Sequence, residues 1–206
     1  MAKKKPARAP RKAPTQERAH RTVEALLDAT AQVLASEGWH KTTTNKVAER
    51  AGTSIGTLYE YFPSKEALVT AVIERLSERL VAEMLQAMDK AIAWAQEDAV
   101  RFWFGAMVDL LEREAPLVRV IATQVPFTWE IPRMRQLQRR LEEIAAARGA
   151  EISRITGRSY SPETVFLMTT IAKSTVLQIA TDRPAGLDRE KLLDEFSALF
   201  AQQFLK

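Results

Sequence analysis

The residues with the most chemical potential in this 206-residue chain lie between Thr43 and Lys65. Ser54, Ile55, Gly56 and Thr57 are followed by Tyr59, Glu60, Tyr61 and Lys65. Hydroxyls, a bare backbone, one branched apolar group, two phenols and a cation are poor catalytic material. They are good material for reading DNA. Hydroxyls donate to phosphates or base edges, a glycine lets a second backbone come close, and Ile55 suits a thymine methyl. A helix starting at Ser54 also presents unpaired N–H groups to phosphate. Lys65 adds a charge contact.

Other chemistries find little support. The chain has no cysteine, which removes disulfides, thiolate metal sites and cysteine nucleophiles. Its two histidines, His20 and His40, fall near the segment just described. No Gly-rich phosphate loop, His-x-x-x-His pair or serine elbow is present. Glu142, Glu143, Asp188 and Glu190 read as solvated helix faces. No catalytic residue, metal ligand or cofactor is expected, and an enzyme is disfavoured.

Reading groups must be held by a frame, and the neighbouring residues have the types of a helix-turn-helix. That motif needs a small residue where its helices touch, a turn residue tolerant of positive φ, and apolar groups that lock one helix onto the other. Ala48 is the small contact and Gly52 the turn. Val47, Ala51, Leu58 and Phe62 form the lock. Thr44 opens the first short helix, and Ser54 caps the second with Thr57 three residues on. A preceding helix from Gln16 carries Val23, Leu26, Leu27, Thr30 and Leu34 as one stripe and ends at Gly38, with Trp39 packing at a corner. Pro63 stops the second helix, and Ser64 starts a long one with Leu68, Val72, Leu76, Leu80 and Met84 on one face, reaching about residue 91.

Beyond it, helical periodicity and breaks at Pro116, Pro126, Pro132, Gly157 and Pro184 predict helices over 97–113, 116–124, 131–156, 162–181 and 188–205. Period-two alternation is rare. The expectation is an all-α protein of about nine helices: a three-helix helix-turn-helix head over 16–63 and a larger helical domain over 64–206. Phe102, Trp103 and Phe104 are consecutive, and at ~100° per residue they cannot all face one core. The helix over 188–205 carries a wide stripe of Leu192, Leu193, Phe196, Leu199, Phe200 and Phe204, which suits a contact between copies, with packing inside the chain as the competing reading.

The net charge of +4 is unevenly placed. Residues 1–21 hold eight Lys and Arg against Glu17, a net +7, leaving −3 elsewhere. Residues 1–15 mix Lys, Arg, Pro and Ala without a large apolar group, so this basic tail is expected to be disordered. It could touch phosphates or serve as a solvated tail. No apolar stretch follows it to make a secretory signal, and nowhere do ~18 apolar residues run together to span a membrane. With the lack of cysteine, this agrees with a cytoplasmic protein.

Residues 18–72 resemble the TetR family of bacterial transcriptional regulators. The resemblance is carried by Gly38-Trp39-His40-Lys41-Thr42-Thr43, by Val47 to Gly52, and by Thr53-Ser54-Ile55-Gly56-Thr57-Leu58-Tyr59-Glu60-Tyr61-Phe62-Pro63-Ser64-Lys65-Glu66-Ala67-Leu68. The resemblance implies roles. Thr43 and Thr44 would contact phosphates and bases, Asn45 would read a base, and Ser54, Ile55, Gly56 and Thr57 would be the readers at the head of the recognition helix. Tyr59, Tyr61 and Lys65 would clamp the backbone. Three positions depart from the family pattern: Trp39 replaces a usual tyrosine, Thr44 a common valine and Tyr61 a common histidine.

The resemblance further implies a C-terminal domain that binds a small effector and pairs two subunits through the last two helices, about 162–181 and 188–205. Candidate pocket walls are Trp103, Met107, Phe127, Trp129, Phe166 and Thr170, with plain core as the competing reading. Candidate anchors are Lys173, Thr169 and Gln178, Lys173 reading first as a solvated or snorkelling lysine and only second as a partner for an anionic ligand. The implied function is a repressor that binds a near-palindromic operator as a homodimer and is released by a small, largely apolar ligand. An activator of the same fold and a sequence-tolerant nucleoid-type binder remain as alternatives.

Overall fold

The computed structural model describes residues 17–91, 96–136, 138–140, 142, 143, 147 and 160–204, and these are helix, turn or loop with no strand among them. The all-α expectation therefore holds for the described residues. The tail over 1–15 lies outside them. So does much of the helix expected over 131–156, of which 132–136 and 138–140 are helical.

The chain divides into two compact units. The first comprises the described residues up to Glu78 together with Pro116–Ile131. It contains α1 (Glu17–Lys41), α2 (Thr44–Arg50), α3 (Ile55–Tyr61), the start of α4 (Lys65–Ala91), nearly all of α6 (Ala115–Thr123) and a 3-10 turn at Thr128–Glu130. α1 buries Leu26, Leu27, Thr30, Val33 and Leu34 along one stripe, as its spacing predicts. Gly38 adopts φ 80°, so the regular helix is broken there and Trp39–Lys41 form a further turn in a new direction. Leu26, Leu34, Val47, Leu58, Phe62, Leu68, Ile73 and Ile131 are almost wholly buried. Each such side chain contributes about 1.5–3 kcal/mol of transfer free energy. Arg75 of α4 donates to Glu24 and Asp28 of α1, both at 2.7 Å. These exposed pairs add little, about 1 kcal/mol or less each.

Caps define the ends of these elements. Ser64 Oγ accepts from the Ala67 N–H at 3.2 Å, so α4 starts where the sequence predicts. α2 closes with paired bonds from Gly52 N–H to the Glu49 carbonyl and from Thr53 N–H to the Ala48 carbonyl. That pattern needs a left-handed residue at its centre, and Gly52 has φ 64°.

The second unit comprises Arg79–Ala115 and the described residues from Pro132 onward. Its elements are the rest of α4, α5 (Gln96–Glu112), α7 (Pro162–Asp182) and α8 (Arg189–Phe204). α5 packs against both α7 and α8. The core is built on Phe104, Val108, Leu193, Val176 and Ile179. Phe104 lies 4.6 Å from the Phe196 ring and 5.0 Å from Phe200. Of the three consecutive aromatics only Phe104 is fully buried, as their angular spread requires. α7 begins with Pro162 behind Ser161, whose hydroxyl accepts from Thr164 N–H at 3.2 Å.

One expectation is corrected here. Most of the α8 stripe does not face outward: Leu193 is fully buried, and Leu192, Phe196 and Phe200 pack on the same core. The reason is the aromatic stack on Phe104, which absorbs that face. Leu199 is exposed, and the Phe204 side chain lies outside the described residues.

Candidate nucleic-acid interface

The candidate reading surface is α3 with the start of α2. Thr43 caps α2, its hydroxyl accepting from Lys46 N–H at 3.3 Å. Ser54 caps α3, its hydroxyl accepting from Thr57 N–H at 3.0 Å and lying 2.9 Å from the Thr57 hydroxyl. These caps leave the first N–H groups of a short helix at the surface, where an anion can meet them.

Leu58 and Phe62 are buried, while Ile55, Gly56, Tyr59 and Glu60 are exposed. Ile55 is 39% exposed and Tyr59 41%, so both offer apolar surface to a partner. The Tyr59 hydroxyl lies 3.1 Å from the Thr44 hydroxyl, which joins the recognition helix to the start of α2. Gly56 has neither a positive φ nor a crowded site: a Cβ there would meet only the Ser54 hydroxyl, at an ordinary 3.6 Å. Nothing in the fold demands glycine at 56. A bare backbone facing outward is what remains to explain it.

The structure gathers Thr43, Thr44, Asn45, Ser54, Ile55, Gly56, Thr57 and Tyr59 on these two helix starts, with Thr43, Asn45, Ser54, Ile55, Gly56 and Tyr59 exposed. Tyr61 departs from expectation. It is only 8% exposed, so it does not stand with the outward groups of α3. It lies three residues after Leu58, about 60° away on the same face, so the core claims it.

Lys65 also turns inward. Its ammonium donates to the Trp39 carbonyl at 3.0 Å and lies 3.8 Å from the centre of the Trp39 ring. Burial pushes its pKa below the ordinary lysine value, against the opposing charge of Glu66. Trp39 is buried, with its ring edge-on to Phe127 at 5.4 Å, and its backbone N–H donates to the Gln124 side-chain oxygen at 3.1 Å. Sequence reasoning placed Trp39 as packing but missed Gln124. A lone glutamine near the end of an apolar helix gives no signal of its own.

The candidate effector residues fall in both units. Phe127 and Trp129 belong to the first unit, Phe127 buried against Trp39 and Trp129 exposed. Trp103, Met107, Phe166, Thr170 and Lys173 belong to the second. There Met107 is buried in the aromatic core, Trp103 is packed at its edge, Phe166 and Lys173 are exposed and Thr170 is half-buried. Thr169 and Gln178 are engaged on their own helix, with Val165 and Phe166 carbonyls and with Asp182. Among the described residues no His, Asp and Glu cluster could hold a metal ion.

Fold and site together define a class: an all-helical protein with a helix-turn-helix head. Residues 26–72 match the family model of bacterial regulatory proteins, tetR family. Over 58 residues the chain is 41% identical to the HTH-type transcriptional repressor KstR of Mycolicibacterium smegmatis, covering 28% of each protein. Over 96 residues it is 32% identical to the HTH-type transcriptional activator FasR of the same organism, covering 47% of this chain and 43% of that one. These matches therefore span less than half of either relative. The transcriptional regulator FadR of Bacillus subtilis, solved in complex with stearoyl-CoA, shares the fold at a TM-score of 0.65 and 17% identity, covering 86% of this chain and 96% of that one.

Proposed function

We propose that this chain is a TetR-type transcriptional regulator that binds a near-palindromic operator as a homodimer and is released by a small, largely apolar effector. The observation that carries the DNA reading is α3: Ile55, Gly56 and Tyr59 stand exposed together on a short capped helix, and nothing in the fold demands the glycine. Thymine methyls and phosphates suit such groups better than the arginine forks that read guanine. Two heads one helical turn apart would read two half-sites. The domain division follows this reading, with residues 16–63 as the reader and 64–206 as sensor and dimerisation domain.

Pairing is supported by α7. Phe166, Leu167 and Ile171 are exposed on it, and Leu199 on α8. α7 is long and apolar enough to cross a bilayer by composition alone, but its Ala172, Val176 and Ile179 are buried in the second unit's core. Burial of one side in protein and an open apolar strip on the other suit a helix that meets a partner. Effector binding is supported by the aromatic second unit, with Trp103 and Met107 beside Phe104, and by the FadR complex with stearoyl-CoA. An effector that favours one head spacing would act by population shift, and α4 is the element that runs from the first unit into the second. FasR, named an activator, supports the second reading, in which the same head recruits rather than blocks transcription.

Selection of bound fragments from random DNA tests the core of this reading. The expected result is one near-palindromic sequence preferred by ~10³ or more over scrambled DNA. Equal affinity for all sequences would favour the nucleoid-type alternative and sink the regulator.

A further inference from the structure

We infer that Gln124, eighty-five residues from its partner in the chain, is a positioning residue of the DNA-reading surface, and that the segment after α6 is thereby a working part of the head. The inference rests on the DNA-reading function proposed above and deepens it.

The first observation is the break in α1. Gly38 at φ 80° interrupts the helix, so the Trp39 N–H lacks the carbonyl that an unbroken helix would supply. The Gln124 side-chain oxygen takes its place at 3.1 Å. The second is the closeness of the approach. A Cβ at position 38 would lie 2.6 Å from that oxygen, so Gln124 comes close against a backbone whose φ already favours glycine. The third is what surrounds the same corner. Phe127 meets the Trp39 ring edge-on, and Lys65 holds the Trp39 carbonyl and the ring face. Thr128 in turn bonds the Ile121 and Val125 carbonyls, which secures the turn carrying Phe127.

This corner leads directly to the reading surface. Thr42 bonds the Gly38 carbonyl through both its N–H and its hydroxyl, at 3.2 and 2.8 Å. Thr43 then caps α2, and Thr44 meets Tyr59 on the recognition helix. Every step in this path is a directional bond, so the aim of Thr43, Thr44 and Tyr59 depends on where Trp39 is held. Gln124 touches none of the reading residues. It acts through Trp39.

The test uses the full chain and three proteins: wild type, Gln124→Leu, which removes the acceptor, and Gln124→Glu, which keeps it. Two readouts are taken: hydrogen exchange at the Trp39 amide, and the ratio of affinities for selected over scrambled DNA. The ratio cancels the general repulsion that the added charge of Gln124→Glu exerts on any DNA. Loss of one hydrogen bond predicts a roughly three- to tenfold faster Trp39 amide exchange in Gln124→Leu, with Leu26 and Leu58 amides unchanged. The affinity ratio should fall by a similar factor, and Gln124→Glu should restore both. A wild-type ratio in Gln124→Leu overturns the inference. So does exchange that quickens equally across the whole unit, since Gln124 would then only support stability. A wild-type protein with no sequence preference overturns it along with the function it rests on, and the exchange readout then shows separately whether Gln124 holds Trp39.

Discussion

Two helices of this molecule leave large apolar side chains in the open, and they do so differently. On α3, Ile55 and Tyr59 are interleaved with a bare glycine, the Ser54 hydroxyl and Glu60, and the tyrosine hydroxyl is already tied to Thr44. On α7, Phe166 and Leu167 are 59% and 52% exposed, and Ile171 follows one turn later. A surface that mixes methyl, hydroxyl and naked backbone matches a groove whose floor alternates methyls with acceptors. A strip of Phe, Leu and Ile offers a polar partner nothing. It matches another apolar strip, and in a homodimer the twofold copy of itself is always at hand. The lesson is that exposure alone does not tell a DNA reader from a protein interface. The polar groups between the apolar ones do.

The largest effect should come from breaking the α7 side. Phe166→Asp with Ile171→Asp puts two charges where burial against a partner is proposed. Sedimentation should then show monomer, with helical content retained and operator affinity lowered by roughly 100-fold or more, since unpaired heads lose the second half-site. A stable dimer in this variant would remove α7 from the interface.

On the α3 side, Ile55→Ala should relax preference at a single base pair by about 1–3 kcal/mol without altering dimerisation. Binding to a panel of single-base operator variants measures it. A uniform loss across the panel would show that Ile55 adds contact but no discrimination.

Gly56→Ala separates folding from reading at one residue. A helix gains no more than about 1 kcal/mol from that change, and the site has room for the methyl group. Thermal denaturation should show equal or higher stability while operator affinity falls several-fold, because the methyl holds the DNA backbone away. Unchanged affinity would mean that no backbone approaches there.

The smallest effect distinguishes the second unit by acid. Glu190 is held below the usual carboxylate range, first by its hydrogen bond from Arg101 and then by that from Arg189. Its ionised form is therefore favoured by folding. The stability this contributes is complete above the ordinary glutamate pKa and is lost as pH falls through the lower folded value. Arg101 also pairs with Asp194, so Arg101→Met should lower the neutral plateau slightly and leave the acid end little changed, which flattens the acid limb of a pH–stability curve. An unchanged acid limb would count against the pair. The group is largely exposed, so the effect is modest.

Much of the head was legible in the sequence because its signals are local. Ser54 reaches three residues to Thr57, Gly52 serves its own φ, and the α1 stripe repeats within two turns. The burial of Tyr61 was not legible because a seven-residue helix is too short for periodicity to define its inner face, and Leu58 and Phe62 widen that face. In the second unit the α8 stripe was legible as apolar, while its packing on the unit's own core was only one of two readings. A stripe records that a surface is covered, but which partner covers it depends on Phe104, some ninety residues earlier.

By itself, then, the sequence determined that this chain is helical, where its head begins and turns, and which residues open the recognition helix. Those properties follow from bonds and backbone angles that span a few residues. Only the tertiary structure decided that Lys65 turns onto Trp39, that Phe127 packs edge-on to the Trp39 ring, and that Gln124 supplies the acceptor missing at the break in α1. These are meetings of residues far apart in the chain, and neither residue type nor spacing carries a mark of the partner that folding will bring.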